Sequence, residues 1–157
     1  MSIIADVHPG SLADKAGLRA GMSILRVNDR EIRDIIDWKY ALANPVMRIE
    51  ALDGEQQLLF RVRHDSGGDI GLSFVSPTLD KLKLCKNNCL FCFVKQMPPD
   101  QRESLYIKDD DFRLSLVYGS FVTLTNLTEA DFLRIEQENI SPIYVSVHTT
   151  NPNLRAT

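Results

Sequence analysis

The chain has 157 residues, 44% of them hydrophobic and 25% charged, with a formal net charge of -3 and a pI of about 5.6. That length suits one ordinary domain or two small ones, and the composition excludes a disordered chain. No basic excess calls for nucleic acid, no apolar run is long enough to cross a bilayer, and MSIIADVHPG lacks the regions of a signal peptide. The expectation is a cytoplasmic protein with no nucleic-acid or membrane partner.

The first element is a strand over residues 3–7. His8-Pro9-Gly10-Ser11 turns the chain, and Ser11 is placed to cap a short helix over Leu12–Ala16 with Asp14 in the capping-box position. Gly17 is placed to end that helix in a left-handed conformation. A strand over residues 22–27 closes at Asn28-Asp29. Asp34 opens a second helix, where Ile35, Trp38 and Leu42 recur at helical spacing. Residues 46–52 and 57–62 read as strands joined by an Asp53-Gly54 hairpin turn.

The run PGSLADKAGLRAGMSILRVNDREI resembles a PDZ domain of the bacterial, protease-associated type. The likeness rests on Gly17-Leu18, Gly21, Ile24-Leu25 and Val27-Asn28. It departs from the pattern at Met22, where Asp is usual, and at Asp29, where Gly is usual. The resemblance implies a β-rich domain that takes a peptide or protein partner by adding a strand to a sheet edge, with a loop of amides on the terminal carboxylate. No such loop precedes Ile3; Ile70-Gly71-Leu72-Ser73-Phe74 is similar to one but follows the domain. A docking module that binds no free peptide is the other reading. Ser66-Gly67-Gly68-Asp69 is the strongest boundary signal and divides the chain into residues 1–66 and 67–157.

In the second segment a short strand over residues 81–84 leads into the cysteines, and Met97-Pro98-Pro99-Asp100 breaks any helix after them. Asp109-Asp110-Asp111 lacks the spacing of a calcium loop and reads as a solvated acidic turn. Strands are expected over residues 114–118 and 121–124, with Gly119-Ser120 between them. Thr128 caps a helix over residues 129–138, with Asp131 in the capping-box position. Residues 143–148 form another strand. Its polar members Tyr144, Ser146 and His148 face away from Ile143, Val145 and Val147. That polar face suits either a cofactor-holding lumen or plain solvent. Strand, helix and strand at this spacing predict βα units and a parallel sheet.

All three cysteines fall in Cys85-Lys86-Asn87-Asn88-Cys89-Leu90-Phe91-Cys92. An odd, clustered set argues against a disulfide framework and for metal chemistry. Thiolates are the ligands of iron–sulfur clusters, and three of them leave one iron of a [4Fe–4S] cube open. Lys83, Lys86 and Lys95 offset the negative charge of such a site or are solvated. A structural zinc would need a fourth ligand, such as His64, His148 or an aspartate. A redox pair of Cys89 and Cys92 would leave Cys85 unexplained.

This cysteine spacing, with aromatic Phe91 before the last thiol, is the signature of the radical S-adenosylmethionine superfamily. The run CKNNCLFCFVKQMPPDQRESLYIKDDDFRLSLVYGSFVTLTNL resembles a narrower family of iron–sulfur oxidoreductases, which joins an N-terminal PDZ-like domain to a radical-S-adenosylmethionine core and a further C-terminal domain. The resemblance implies an α/β plus β-rich chain: a PDZ-like domain, then the first βα units of a partial TIM barrel. It implies a [4Fe–4S] cluster on Cys85, Cys89 and Cys92, S-adenosylmethionine on the open iron, and an external electron donor. Phe91, Gly119, Ser120, Asn126 and Ser146 are the positions it points to around that cofactor. Gly-Ser-Phe stands here where Gly-Gly-Glu is common, and Gly119 also reads as a simple turn glycine. The alternatives are a protein-interaction module with a structural metal, and an electron-transfer protein that ignores S-adenosylmethionine. At roughly 30 residues per βα unit, the stretch after Leu84 holds about two to three units where the superfamily core takes about six. The chain is therefore expected to be an N-terminal fragment, inactive alone. No substrate is named by the sequence.

Overall fold

The computed structural model describes residues 2–64 and 68–155. The chain forms two compact units, Met1–Lys81 and Leu82–Thr157. The boundary expected between residues 66 and 67 lies outside the described residues. Among the described residues no helix is long and apolar enough to cross a membrane.

The first unit is an antiparallel sheet with two helices. Its strands are β1 (Ser2–Val7), β2 (Ser23–Val27), β3 (Arg30–Glu31), β4 (Val46–Asp53), β5 (Gln56–Arg63) and β6 (Leu72–Phe74), and its helices are α1 (Leu12–Ala16) and α2 (Ile35–Leu42). The strand order is β5-β4-β2-β1-β6, with β3 on β2. Period-two burial selects the inner face: Met47, Ile49 and Ala51 of β4 are fully buried while Arg48 points out. The β4–β5 pair runs without a slip from Val46↔Arg63 to Asp53↔Gln56, as the Asp53-Gly54 turn requires. Ile4, Ile24, Ile36, Trp38 and Met47 fill the core.

The caps form as the sequence indicates. Ser11 Oγ accepts the Asp14 N–H at 3.2 Å, and Gly17, at φ 93°, donates to Ala13 and Asp14 carbonyls. Asp14 answers by accepting from Gly10 at 2.7 Å, not from Ser11, so the box is shifted by one residue. Asp34 caps α2 by accepting from Ile36 and Asp37.

The Ile70–Phe74 run folds back on the sheet. β6 pairs with β1 through Ile4↔Phe74, Asp6↔Ser73 and Val7↔Leu72 and forms a sheet edge. Its turn depends on Gly71, which has φ 85° and donates to Asp69 Oδ1 at 2.9 Å. A Cβ there would lie 2.3 Å from Ser11 Cβ. Gly71→Ala therefore forces a left-handed alanine and a backbone shift together, a loss of at least about 1–2 kcal/mol for the backbone term alone. The expected result is a lower urea midpoint with an unchanged slope. Gly54→Ala, also at positive φ but with nothing within 4 Å, loses less. Equal shifts would show that the Ser11 contact is irrelevant.

The second unit contains α3 (Phe112–Tyr118), β7 (Phe121–Val122), α4 (Glu129–Gln137), β8 (Tyr144–Val145), α5 (Pro152–Arg155) and two 3₁₀ turns, Phe93–Gln96 and Glu103–Tyr106. β7 and β8 are parallel, with Phe121↔Tyr144 and Val122↔Val145 in register and α4 between them in sequence. This is the expected βα connection. The Thr128–Asp131 capping box of α4 forms in full.

Three expectations are corrected here. Residues 114–118 are helical, not a strand. Leu114, Leu116, Val117 and Tyr118 suit a strand, but Asp111 accepts the Arg113 N–H and Gly119, at φ 74°, closes the last turn, and these caps decide the outcome. The strand over residues 81–84 reduces to an isolated bridge, Leu84↔Asp109. The acidic run is not a solvated turn: Asp110 and Asp111 are 1% and 0% exposed. Buried carboxylates need partners, and both have them. Asp111 takes the Lys83 N–H and the buried Arg113 guanidinium, and Asp110 takes Thr123.

Candidate metal and cofactor site

The cysteine loop is irregular backbone held at both ends. Cys85 donates to the Lys108 carbonyl at 2.7 Å, beside the Leu84↔Asp109 bridge. Cys92 donates to the Cys89 carbonyl at 3.3 Å and starts the 3₁₀ turn Phe93–Gln96. All three thiols are free and half-buried. The Cys92 thiol titrates below its ordinary value: the backbone N–H of Lys95 favours the thiolate most, burial opposes it, and the Val94 N–H and the charges of Lys108 and Lys95 add to the lowering. Soft thiolate donors of this kind suit an iron–sulfur cluster. Among the described residues no three His, Cys, Asp or Glu side chains are gathered closely enough to hold a metal ion.

The lysines divide differently from the sequence expectation. Lys83 pairs with Asp131 and lies 5.4 Å from the Phe112 ring centroid, so it is committed to α4 and the core. Burial raises the Asp131 carboxyl, but the Lys83 and Thr128 hydrogen bonds outweigh it, and the group titrates below its ordinary value. Lys108, which the sequence reading did not single out, donates to the Asn87 carbonyl at 2.6 Å.

A cavity of about 390 Å³ opens beside the loop. Asn87, Cys89 and Phe91 line it from the loop, Thr123 and Thr125 from beyond β7, and Ser146 and His148 from beyond β8. The Phe91 and His148 rings lie 4.5 Å apart at 35°. Of the positions the resemblance names, Phe91 and Ser146 both line this cavity, and Ser146 is fixed by its N–H to the Val122 carbonyl at 2.8 Å.

Gly119, Ser120 and Asn126 stand elsewhere. Gly119 is the C-cap of α3, with Ser120 following it. Asn126 donates to the carbonyls of Leu84 and Asp110 at 3.1 and 3.0 Å, tying the loop entrance to the acidic turn; its Oδ1 is buried without a partner among the described residues. Of the polar set Tyr144, Ser146 and His148, the last two line the cavity and Tyr144 lies against Phe121, whereas Val145 and Val147 are exposed. Asn87, Thr123 and Thr125 are lining residues that sequence reasoning gave no role, and His148, read there as a polar strand residue or a zinc ligand, lines the cavity too. The alternation Thr123-x-Thr125 after a strand was the available signal. His64 is buried at the end of β5 in the first unit, and its ring nitrogens have no partner among the described residues.

A family model described as a radical SAM-like domain matches residues 64–157, and one described as a PDZ domain matches residues 3–52. No curated protein matches the chain.

Proposed function

The chain belongs to the radical SAM-like domain family, joined to a PDZ domain, and we propose that it is the part of an iron–sulfur oxidoreductase in which Cys85, Cys89 and Cys92 hold a [4Fe–4S] cluster with S-adenosylmethionine on the remaining iron. The observation that carries this reading is one loop that holds three free, half-buried thiols within eight residues and lines a cavity of about 390 Å³ with Cys89 and Phe91. When bound, the two groups supply one-electron cleavage of a sulfonium C–S bond, and so a hydrogen-abstracting 5′-deoxyadenosyl radical. The chain's own residues bind and orient. Ser146 offers a hydroxyl and Thr125 an acceptor oxygen to a sugar-like ligand, and the Phe91–His148 pair offers a ring face to a base. The reading requires a reducing compartment, which favours the cytoplasm, and an external electron donor.

For the PDZ unit we propose docking to a protein partner without capture of a free peptide end. Trp38 of α2 meets Phe74 of the edge strand at 5.1 Å between ring centroids, edge to face. A peptide adding to β6 beside α2 needs strand spacing of about 4.8 Å plus room for its side chains, and this contact fills that room.

Anaerobic reconstitution with iron and sulfide, followed by electron paramagnetic resonance of the reduced protein, tests the main reading. The expected result is a [4Fe–4S] signal that changes when S-adenosylmethionine is added. A cluster indifferent to S-adenosylmethionine makes this an electron-transfer protein. A tightly bound zinc with no cluster makes the loop structural.

A further inference from the structure

The cysteine loop has two spacers, and each carries one side chain anchored across the cavity. In the first spacer, Asn87 Nδ2 donates to Thr125 Oγ1 at 2.7 Å. The two threonine hydroxyls lie 2.8 Å apart, and Thr123 Oγ1 donates to Asp110 Oδ2 at 2.7 Å. The polarity of this chain is forced. A carboxylate only accepts, so the Thr123 hydroxyl proton is directed to Asp110. Thr123 Oγ1 then accepts from Thr125, and Thr125 accepts from Asn87. Asp110 is itself fixed, being 1% exposed and accepting the Thr123 N–H at 2.6 Å. In the second spacer, Phe91 stacks on His148, which follows β8.

We propose that Asn87 and His148 are positioning residues for the three-cysteine loop: Asn87 pins the spacer between Cys85 and Cys89 through Thr125, Thr123 and Asp110, and His148 pins the spacer between Cys89 and Cys92 through Phe91. The proposal rests on the cluster reading for its purpose, but not for its test. Two pinned spacers, added to the backbone ties of Cys85 to Lys108 and Cys92 to Cys89, leave chiefly the cysteine side chains to adjust. Binding three thiolates at once then orders less chain than it would in an unpinned loop.

The test uses the full chain, metal-free and anaerobic, with iodoacetamide as probe and mass spectrometry reading each cysteine. Loss of one aromatic pair or one hydrogen-bonded anchor is expected to raise the alkylation rate of the adjacent thiols about two- to tenfold. His148→Ala and Thr125→Val show the increase. His148→Phe, which keeps a stacking ring, and Thr125→Ser, which keeps the hydroxyl, return to the wild-type rate. Unchanged rates in the first two variants overturn the proposal, and so does failure of the conservative pair to restore protection. Neither result touches the spectroscopic test above. Should a variant fail to fold, the wild-type His148 ring-proton resonances decide: they lie upfield in the intact protein and move downfield in Phe91→Leu, and random-coil positions in the intact protein overturn the proposal.

Discussion

Alanine at Cys85 is expected to abolish assembly of the [4Fe–4S] cluster as completely as alanine at Cys89 or Cys92, with iron content and the visible charge-transfer absorption both falling to background. Cys85 is the discriminating position. A redox Cys-x-x-Cys pair would use Cys89 and Cys92 and tolerate the loss of Cys85. A cubane held by three thiolates loses a corner ligand whichever cysteine goes, because no fourth thiol exists in the chain to replace it. The backbone supports an equal role for all three. Cys85 is tied to Lys108, and Cys92 turns back on Cys89. The lysines near the loop act in the same direction, since three thiolates concentrate negative charge and Lys95 and Lys108 both favour the Cys92 thiolate. An intact cluster in Cys85→Ala would remove the three-thiolate reading, and a disulfide between Cys89 and Cys92 in that variant would put the redox pair in its place.

The first unit was legible because its signals are local. Ser11, Asp34 and the Asp53-Gly54 turn each settle a boundary within a few residues, and β4 and β5 alternate in the open. The pairing of β6 with β1 was not legible, because it joins residues some 70 apart in sequence and Ile70-Gly71-Leu72-Ser73-Phe74 gives no hint of its partner. In the second unit, β-prone residues 114–118 outweighed in the reading the two caps that make them helical. The acidic run misled for a related reason. Three adjacent aspartates suggest solvent unless their partners are known; Arg113 lies just two residues beyond Asp111, but Lys83 and Thr123 are distant in sequence. At the site itself, the cysteines and Phe91 were visible from spacing. Asn87 and Thr125 were not, since an asparagine and a threonine acquire a role only when the loop and the residues after β7 are brought to one cavity, and His148 stood out only as a polar strand residue or a candidate zinc ligand.

The ion pair of Asp111 and Arg113 is buried in the unit that carries that cavity, and its disruption is the largest stability effect expected. The pair is 0% and 2% exposed and bidentate, with Arg113 Nε to Asp111 Oδ1 at 2.8 Å and Nη2 to Oδ2 at 2.6 Å. Removing one partner of a buried pair costs about 3–5 kcal/mol, because the other charge stays behind uncompensated. Asp111→Ala loses more than Arg113→Ala. The carboxylate also caps α3 through the Arg113 N–H and accepts the Lys83 N–H, each at 3.0 Å. Its loss uncaps the helix, worth about 1 kcal/mol, and takes the bidentate carboxylate away from a buried guanidinium. In Arg113→Ala those two N–H donors still face the carboxylate. Against a typical total of about 5–15 kcal/mol, Asp111→Ala brings this unit near its unfolding threshold. Peptide-level hydrogen exchange over residues 109–145 reads the effect there, while Trp38, the only tryptophan, reports the first unit. Replacing both residues by apolar ones of similar volume is expected to recover part of the loss, as a pair coupled by burial does. Equal protection in Asp111→Ala and wild type would mean that the pair does not hold the acidic turn, and the anchoring of Thr123 and Asn87 through Asp110 would lose its foundation with it.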